Sequence, residues 1–456
     1  MKRPRHHRDW ILTIIWAALF APSLVSQQKL TLSEAAARAL ENNPDLAADA
    51  PGRQAARAEF KAARAGYLPR LDFEQSYLAG NNPVFVFSTL LSQRRFTAAN
   101  FALPELNNPS AIDNLQTRAT VQQTIWDFGR TRSMREQARL GIDIADQTHQ
   151  DHVRGVMLAV FESYYFTSLA RDTLETARIA LRSAEVLEQQ AETRVASGLA
   201  VEADLLRSRV HLSAAKQQEI QAQGELERAK ARLNRLMGYG LDRATGETAP
   251  LAIKELVLPS EETLIEEQKR HRPDYENLRA QLRREQAVVR SLEKEFLPVI
   301  AGYTTWEADN PSLNVYGGSN WAAGITLRWN LFSGGSDTAR LEAARHRLEQ
   351  KRRQLSAMES AMALELRDAL IQYRAAQQQV EAARAAAAQS DEGLRILRNR
   401  YDAGLATMTD LLSAETARSN AGTSLSQAVF QQLLSFARVE YAAGILSPTS
   451  PAMNLD

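Results

Sequence analysis

Two long stretches of this chain carry mostly apolar residues at every seventh position. The second stretch runs from Asp337 to Ala403 without a proline, and Gly393 is its only glycine. Its seven-residue seam consists of Leu341, Leu348, Leu355, Met362, Ala369, Ala376, Ala383, Ser390 and Leu397. The first stretch has a similar seam at Val153, Val160, Thr167, Leu174 and Leu181. This spacing is typical of a coiled coil, and about 67 helical residues at ~1.5 Å each form a rod of roughly 100 Å.

A glycine ends each of these helical patterns, and a second helical stretch then returns. The turns are predicted at Gly198-Leu199 and Gly404-Leu405, because glycine readily adopts the conformation that a tight turn needs. The returning helices are predicted to extend to about Met237 and Ala443. Each half of the chain therefore contributes one long helical hairpin, with its tip near residue 198 or 404.

Alternation of apolar and polar residues predicts two pairs of β-strands, in β-hairpins at about 70–128 and 299–332. In the clearest strand, one face carries Trp321, Ala323, Ile325, Leu327, Trp329 and Leu331, and the other carries Ala322, Gly324, Thr326, Arg328 and Asn330. About 12 residues is the size of a tilted membrane strand. The returning strand of the first pair is predicted at about 117–128. A soluble β-ribbon is the alternative interpretation, because such strand patterns are individually weak.

The segments around the first strand pair are predicted as a helix and a loop. The helix is expected from about Ser33 to Gly66, opened by a capping signal at residues 31–34 and ended by Pro69. The insert at about 80–116 contains several phenylalanines among asparagine and proline, and it is predicted to be an extracellular loop.

Four motifs recur in the same order in both halves of the chain, which indicates an internal duplication. The pairs are Asn43-Pro44-Asp45-Leu46 with Arg272-Pro273-Asp274-Tyr275, Tyr67-Leu68-Pro69 with Phe296-Leu297-Pro298, Trp126-Asp127-Phe128-Gly129-Arg130 with Trp329-Asn330-Leu331-Phe332-Ser333-Gly334-Gly335, and Arg194-Val195-Ala196-Ser197-Gly198-Leu199 with Arg400-Tyr401-Asp402-Ala403-Gly404-Leu405. A repeat of this length predicts two structural halves rather than a solenoid of small units. We place the first repeat at residues 27–260, the second at 261–444 and a C-terminal tail at 445–456.

Residues 1–26 are predicted to form a signal peptide. Basic residues precede an uncharged, mostly apolar run from Trp10 to Pro22, which is too short for a comfortable membrane span. An uncleaved anchor is the alternative. No later segment has ~20 consecutive apolar residues, so a membrane location of the mature chain would require a β-barrel.

The composition argues against several classes of function. Because 55 Lys and Arg balance 54 Asp and Glu, the chain is not built to bind nucleic acid. The absence of cysteine excludes disulfides, thiolate metal sites and a lipid-modified cysteine. Hydrolase, nucleotide-binding and metalloprotease motifs are absent, so we predict neither catalytic residues nor a cofactor. His149 and His152 share a helix face, but two ligands without a third are more often a solvated surface than a metal site.

The duplicated motifs resemble those of the TolC-like outer-membrane efflux proteins. The resemblance rests on Leu30-Thr31-Leu32-Ser33-Glu34 with Asn43-Pro44, on the Leu-Pro before each strand pair, on the glycine motif after it and on the paired Gly-Leu tips, and it covers about residues 30–444. It implies a mainly α fold with membrane β-strands: a homotrimer with a twelve-stranded β-barrel in the outer membrane and an α-helical tunnel through the periplasm. Implied partners are a periplasmic adaptor and an inner-membrane pump or ABC exporter. Many members carry a lipid-modified N-terminal cysteine, whereas this chain has none.

Asp204 and Asp410 are the candidates for a channel gate. Each lies six residues after a tip glycine, and equivalent side chains of a trimer would form carboxylate rings that favour cations. The resemblance implies aspartates at the constriction in this stretch, although Ser413 stands where a second aspartate can occur. The alternative is helix-start chemistry, because Asp in a first turn favours the helix dipole and Thr407 to Asp410 fits a capping box.

Two further groups of residues are predicted to face partners or lipid. The candidates for contact with an adaptor protein are Arg194, Gly198, Leu199, Arg400, Gly404 and Leu405, and the alternative is that they only build helical turns. The candidates for aromatic side chains at the membrane–water boundary are Trp126, Phe128, Trp321 and Trp329, and the alternative is packing within the sheet.

Three functions compete at this point. The favoured one is a passive outer-membrane conduit of a tripartite efflux pump or type I secretion system. A periplasmic coiled-coil adaptor or scaffold without a barrel would predict a single helical hairpin inserted within β domains. An exported enzyme would need a convergent polar site, and the sequence shows none.

Overall fold

Three short helices open the first half of the chain. The computed structural model describes residues 29–455, so the predicted signal peptide lies outside the described residues. The helices are α1 (Leu32–Asn42), α2 (Pro44–Ala47) and α3 (Asp49–Arg64). The side chains and backbones of Thr31 and Glu34 bond reciprocally, so the predicted capping box is confirmed. The prediction of one continuous helix from 33 to 66 is wrong, because Pro44 lacks an N–H and Asn43 caps a new helix.

The remaining elements repeat one plan twice. The first half continues with β1 (Arg70–Gly80), α4 (Pro83–Ser92), α5 (Leu103–Asn107), β2 (Ile112–Trp126), α6 (Arg130–Ala196) and α7 (Glu202–Leu236). The second half contains α8 (Glu261–His271), α9 (Pro273–Glu293), β3 (Val299–Asn310), β4 (Gly318–Arg328), α10 (Ser336–Asp402) and α11 (Met408–Ala442). Helices α6 and α10 each have 67 residues, and α7 and α11 each have 35. The long helices are confirmed, and every residue of their seven-residue seams is buried or half-buried.

The four strands form one antiparallel sheet in the order β1-β2-β3-β4. Strand β2 begins at Ile112 rather than near residue 117, so the predicted loop shortens to residues 81–111 and contains α4 and α5. Strand β4 ends at Arg328, and Trp329 follows it. The two halves of the chain therefore meet through β2 and β3, which leaves β1 and β4 as the edges of the sheet.

A β-bulge resolves a conflict in the sequence pattern of β2. Val121 and Trp126 differ by an odd number of positions, so strict alternation places them on opposite faces. The register against β3 shifts between Thr124 and Trp126, because Ile125 is an extra residue. Trp126 therefore pairs with Ile300 and joins Val121 on the apolar face of the sheet.

The largest core lies where α1, α6, α10, α11 and the C-terminal segment meet, between the sheet and the hairpin tips. Its biggest fully buried side chains include Phe161, Tyr164 and Phe436. The Tyr164 hydroxyl donates to the Leu30 carbonyl at 2.7 Å and accepts the backbone N–H of Ala249 at 2.8 Å. This core ties the connecting segments to the helices. Among the described helices, none is both long and apolar enough to span a bilayer.

Candidate functional site

The tip of the first hairpin is a glycine turn with both of its backbone hydrogen bonds made. Gly198 has φ = 71°, and its N–H donates to the Val195 carbonyl at 3.0 Å. The N–H of Leu199 donates to the Arg194 carbonyl at 2.8 Å. This pair of bonds is the Schellman arrangement that satisfies the last carbonyls of a helix. Nothing lies within 4 Å of a Cβ built at Gly198, so the positive φ alone requires glycine.

The tip of the second hairpin has the same geometry. Gly404 has φ = 74°, and its N–H donates to the Tyr401 carbonyl at 3.0 Å. The N–H of Leu405 donates to the Arg400 carbonyl at 2.7 Å. The two predicted tips therefore have one shared local structure, as their matching sequences indicate.

The leucine after each glycine is largely exposed. In a Schellman turn this position usually packs against an apolar side chain in the preceding helical turn, but here that position is arginine. Leu199 is 80% exposed and Leu405 is 70% exposed. Each hairpin therefore ends in an apolar side chain that faces solvent.

The two tip arginines have different surroundings. The Arg194 guanidinium lies 4.5 Å from the ring centroid of Tyr401 and 3.8 Å from the Asp402 carboxylate. It therefore joins the first hairpin to the second through a cation–π contact and a weak ion pair. Arg400 is exposed. The matching sequence positions thus have different contacts.

Asp410 caps α11, as the alternative interpretation of this residue predicts. Its carboxylate accepts the Thr407 hydroxyl at 2.7 Å and the Thr407 N–H at 3.0 Å. The Asp410 N–H donates back to the Thr407 hydroxyl at 3.2 Å, which completes a capping box. The hydroxyl bond and then the backbone bond lower the pKa of Asp410 below its ordinary value of 3.8. This exposed carboxylate therefore remains ionised in mild acid.

Asp204 has a different environment from Asp410. It lies in the first turn of α7, half-buried, and the N-cap residue Val201 has no capping side chain. Burial raises the pKa of Tyr401, and the negative charge of Asp204 adds to this effect while Arg194 opposes it. Asp204 therefore lies close enough to the second tip for its charge to act on Tyr401.

A buried carboxylate near the tips is a contact that sequence reasoning missed. Glu415 of α11 has a side chain only 7% exposed, and it accepts Arg398 of α10 at 2.5 Å and the Ser183 hydroxyl of α6 at 2.8 Å. These bonds connect the first hairpin to both helices of the second. The sequence does contain a signal for this burial, because Glu415 follows the apolar residues Met408 and Leu411 at helical spacing, and all three are buried.

Apolar packing between the hairpins lies around this polar contact. The cluster consists of Leu187, Ala191, Leu394, Tyr401, Met408 and Leu411. An open groove of about 600 Å³ runs beside it, between α6 and the second hairpin. The hairpins are therefore packed and bonded to each other near the tips. A change in the separation of the hairpins would alter these contacts.

The sheet at the other end of the long helices has one apolar and one polar face. On the polar face, Arg118 lies 3.8 Å from Glu74 and 3.6 Å from Glu307, so charges pair across three strands. The apolar face carries the predicted boundary aromatics at two levels. Trp126 and Trp329 are 57% and 54% exposed near the helices, and Trp321 is 76% exposed nearer the far end. Phe128 packs edge-on against Trp126, at 5.9 Å between ring centroids.

His149 and His152 both contact a carboxylate across a helix interface. Their Nδ1 atoms lie 3.1 Å and 2.9 Å from the oxygens of Asp49, the first residue of α3. Within residues 29–455, no group of three or more His, Asp or Glu side chains is arranged to hold a metal ion. The two histidines therefore serve to pack α3 against α6.

Comparisons with known proteins agree on one family. The family model for outer membrane efflux proteins matches residues 35–239 and 264–444. The chain is 27% identical over 418 residues to the alkaline protease secretion protein AprF of Pseudomonas aeruginosa, covering 90% of this chain and 83% of that protein. It is 23% identical over 434 residues to the proteases secretion protein PrtF of Dickeya chrysanthemi, covering 92% and 90%.

Solved structures share the fold over about nine-tenths of the chain. The CmeC outer membrane channel of Campylobacter jejuni matches with a TM-score of 0.80 at 17% identity, covering 92% of this chain and 87% of that one. The outer membrane protein VceC of Vibrio cholerae matches with a TM-score of 0.75 at 19% identity, covering 91% and 96%. The mainly helical fold is therefore that of TolC-like outer membrane channels.

Proposed function

This chain belongs to the outer membrane efflux protein family, and we propose that it is the outer-membrane channel of a tripartite efflux pump or type I secretion system. The family match agrees with the resemblance drawn from the duplicated motifs. In this role the protein is a passive conduit through the periplasm and the outer membrane of a Gram-negative bacterium. Its energy and its choice of cargo come from partner proteins.

The observation that carries this proposal is the two-faced sheet at the end of two 67-residue helices. Trp321 and Trp329 are eight residues apart, roughly 26 Å at ~3.3 Å per residue. An outer-membrane barrel has an apolar band about 25 Å tall between two aromatic girdles. Because barrel strands tilt by about 35–45°, this length projects to about 20 Å along the membrane normal, which is comparable with the height of that band.

The open edges of this sheet require further copies to close a barrel, and the resemblance to TolC-like proteins supports a homotrimer. Four strands cannot close a barrel, and unpaired backbone groups at the edges β1 and β4 would be costly in lipid. Three copies supply twelve strands and bring β1 of one copy beside β4 of the next. The equal lengths of the paired helices support two structural repeats, at residues 27–260 and 261–444, and an α-helical tunnel built from both hairpins of each copy.

The hairpin tips are the proposed contact for a periplasmic adaptor. Leu199 and Leu405 are exposed apolar side chains on turns of equal shape, so three copies would present six similar contacts in a ring. The adaptor in turn joins the channel to an inner-membrane pump or an ABC exporter. Arg194, Gly198, Arg400 and Gly404 position these leucines through the turn geometry described above.

Secretion of polypeptides is the better supported of the two transport roles. Both relatives described above are named for the secretion of proteases, and each is matched over most of its length. The alternative of a periplasmic adaptor or scaffold predicts one helical hairpin within β domains. The two hairpins and two strand pairs of this chain favour the channel.

Three measurements test the channel proposal. Fractionation should recover the protein in the outer membrane, its gel migration should change on heating, and the purified protein should form channels in planar bilayers. A periplasmic pool that forms no channels would favour the scaffold.

The adaptor contact is tested by crosslinking, which the lack of native cysteine simplifies. Leu199→Cys and Leu405→Cys should crosslink to a periplasmic protein of the same export system. Val210→Cys, 71% exposed on the side of α7, is the matched control. Equal crosslinking by the control would contradict a contact specific to the tips.

The gate proposal for Asp204 and Asp410 is tested by conductance against pH. Carboxylate rings repel one another when ionised, so protonation should change channel opening. The capping bonds hold the pKa of Asp410 below 3.8, so its ring should respond only below that pH. Asp204→Asn combined with Asp410→Asn should remove this acid response. An unchanged response would leave Asp410 with its capping role alone.

A further inference from the structure

The connection between β1 and β2 is a folded unit rather than an open loop. Residues 81–111, the insert, contain α4 and α5. Phe96 packs edge-on against Phe87 at 5.0 Å and against Phe101 at 5.1 Å between ring centroids. Aromatic contacts of this kind add to the burial of apolar area and give the insert a small core of its own.

The insert is bonded to the polar face of the sheet. The side chain of Gln93, only 1% exposed, donates to the Asn114 side chain at 3.1 Å and to the Asp113 carbonyl at 2.8 Å. Asn114 in turn donates to the Asp309 carboxylate of β3 at 2.7 Å. Side chains two residues apart on a strand share a face, so Asn114 lies on the same face as Arg118. The insert therefore covers the end of the face that carries the paired charges, not the face that carries the tryptophans.

The backbone of Arg94 shows that this docking is specific. Arg94 has φ = 56° at the end of α4, a left-handed conformation that favours glycine. Its guanidinium reaches β4 and donates to the Ser319 carbonyl at 3.0 Å. The side chain thus makes a contact with the second half of the chain that glycine cannot make.

A close approach at Gly318 fixes the insert from the opposite side. A Cβ at this residue would lie 2.2 Å from the Ser92 carbonyl oxygen, so only glycine lets the end of α4 sit against β4. The insert is therefore held by all three neighbouring strands, β2, β3 and β4, on one face of the sheet.

We propose that the insert is a constriction inside the outer mouth of the channel. This inference rests on the proposed function, in which the apolar face meets lipid and the polar face lines the lumen. The insert joins the ends of β1 and β2 that lie away from the long helices, so it sits at the extracellular end. Three copies, one from each subunit, narrow the exit and limit the size of cargo that leaves without displacing them.

The test compares the purified full-length protein and two variants in planar bilayers, by the size of neutral polymers that enter the channel from the extracellular side and lower its single-channel conductance. In one variant, residues 83–109 are replaced by a short Gly-Ser linker. In the other, Gly318→Val displaces the end of α4 from β4 while the insert keeps its full length. Gly240→Val is the matched control, because a Cβ there meets nothing within 4 Å.

We expect both variants to admit larger neutral polymers from the extracellular side, because a constriction at the outer mouth limits entry from that side whatever the opening at the hairpin tips. The control should match the unmodified protein. If the unmodified protein and Gly318→Val form channels that admit polymers of equal size from the extracellular side, the inference is wrong while the proposed function stands. If the unmodified protein forms no channels, the proposed function itself fails. Should the linker variant fail to assemble, the Gly318→Val result decides alone.

Discussion

Removing Arg398 should loosen the contact between the two hairpins near their tips. The Arg398→Ala change leaves the Glu415 carboxylate with the Ser183 hydroxyl as its remaining bond among those described. Removing one partner of a buried ion pair costs about 3–5 kcal/mol, whereas an exposed pair contributes at most about 1 kcal/mol. The Glu415 side chain is 7% exposed and the Arg398 side chain is 51% exposed, so an intermediate value of about 2 kcal/mol is expected.

Hydrogen exchange detects this local loosening without unfolding the whole assembly. Amides near residue 415 and at both tips exchange through local opening, and each 1.4 kcal/mol changes the rate about tenfold. A loss of about 2 kcal/mol therefore predicts roughly 30-fold faster exchange at these amides. Exchange in the core around Tyr164 should not change.

Two further variants separate charge pairing from packing. Arg418→Ala breaks an ion pair with Asp391 in which neither side chain is buried, at 38% and 61% exposed, so exchange should change less than about five-fold. Glu415→Leu replaces the carboxylate by an apolar group beside Leu187 and Leu411, and it should be milder than Arg398→Ala because no buried charge is left unpaired. Equal exchange in Arg398→Ala and Arg418→Ala would refute the reasoning.

Three other outcomes follow from the structure. Gly404→Ala should destabilise the second tip by about 1–2 kcal/mol because φ is 74°. Gly393→Ala in the interior of α10 should instead stabilise the helix by up to about 1 kcal/mol. Hydrogen exchange should therefore become faster at the first site and slower at the second. Burial raises the pKa of Glu440 above 4.5, so this group favours the folded state at pH below 4.5, and that contribution is lost as the pH rises through the raised pKa. Glu440→Gln should therefore raise the thermal stability at neutral pH and remove this part of the pH dependence. Thermal unfolding at several pH values measures both effects. The pKa of Asp410 is lowered, so the pH dependence has the opposite sign: the cap is fully formed above pH 3.8 and is lost as the pH falls through the lowered pKa. Thr407→Ala should abolish this acid-dependent protection of the first turn of α11 against hydrogen exchange. An unchanged exchange profile would show that the cap contributes nothing.

Local signals in the sequence predicted the helices because their physical causes are local. Thr31 and Glu34 lie three residues apart, and so do Thr407 and Asp410, so each capping box depends on a few neighbouring atoms. The seven-residue seams extend over many turns, and this averages out single exceptions such as Ser390. The break at Pro44 also had a local cause, but the prediction of one long helix gave it too little weight.

Contacts between distant segments were not predictable in the same way. The bulge at Ile125 is defined by the register of β2 against β3, and the docking of Gln93 depends on where β3 and β4 lie beside β2. Charged residues are frequent along these helices, and only the packing of both hairpins around Glu415 distinguishes it as buried.

By itself, the sequence determined the duplicated plan, the lengths of the long helices and the glycine turns at their tips, because periodicity and backbone preference act within a few residues. Only the tertiary structure decided which face of the sheet the insert covers, which tip arginine joins the two hairpins and which carboxylate is buried between them. These features depend on the desolvation and pairing of groups that lie far apart along the chain, and such energies exist only once the segments have met.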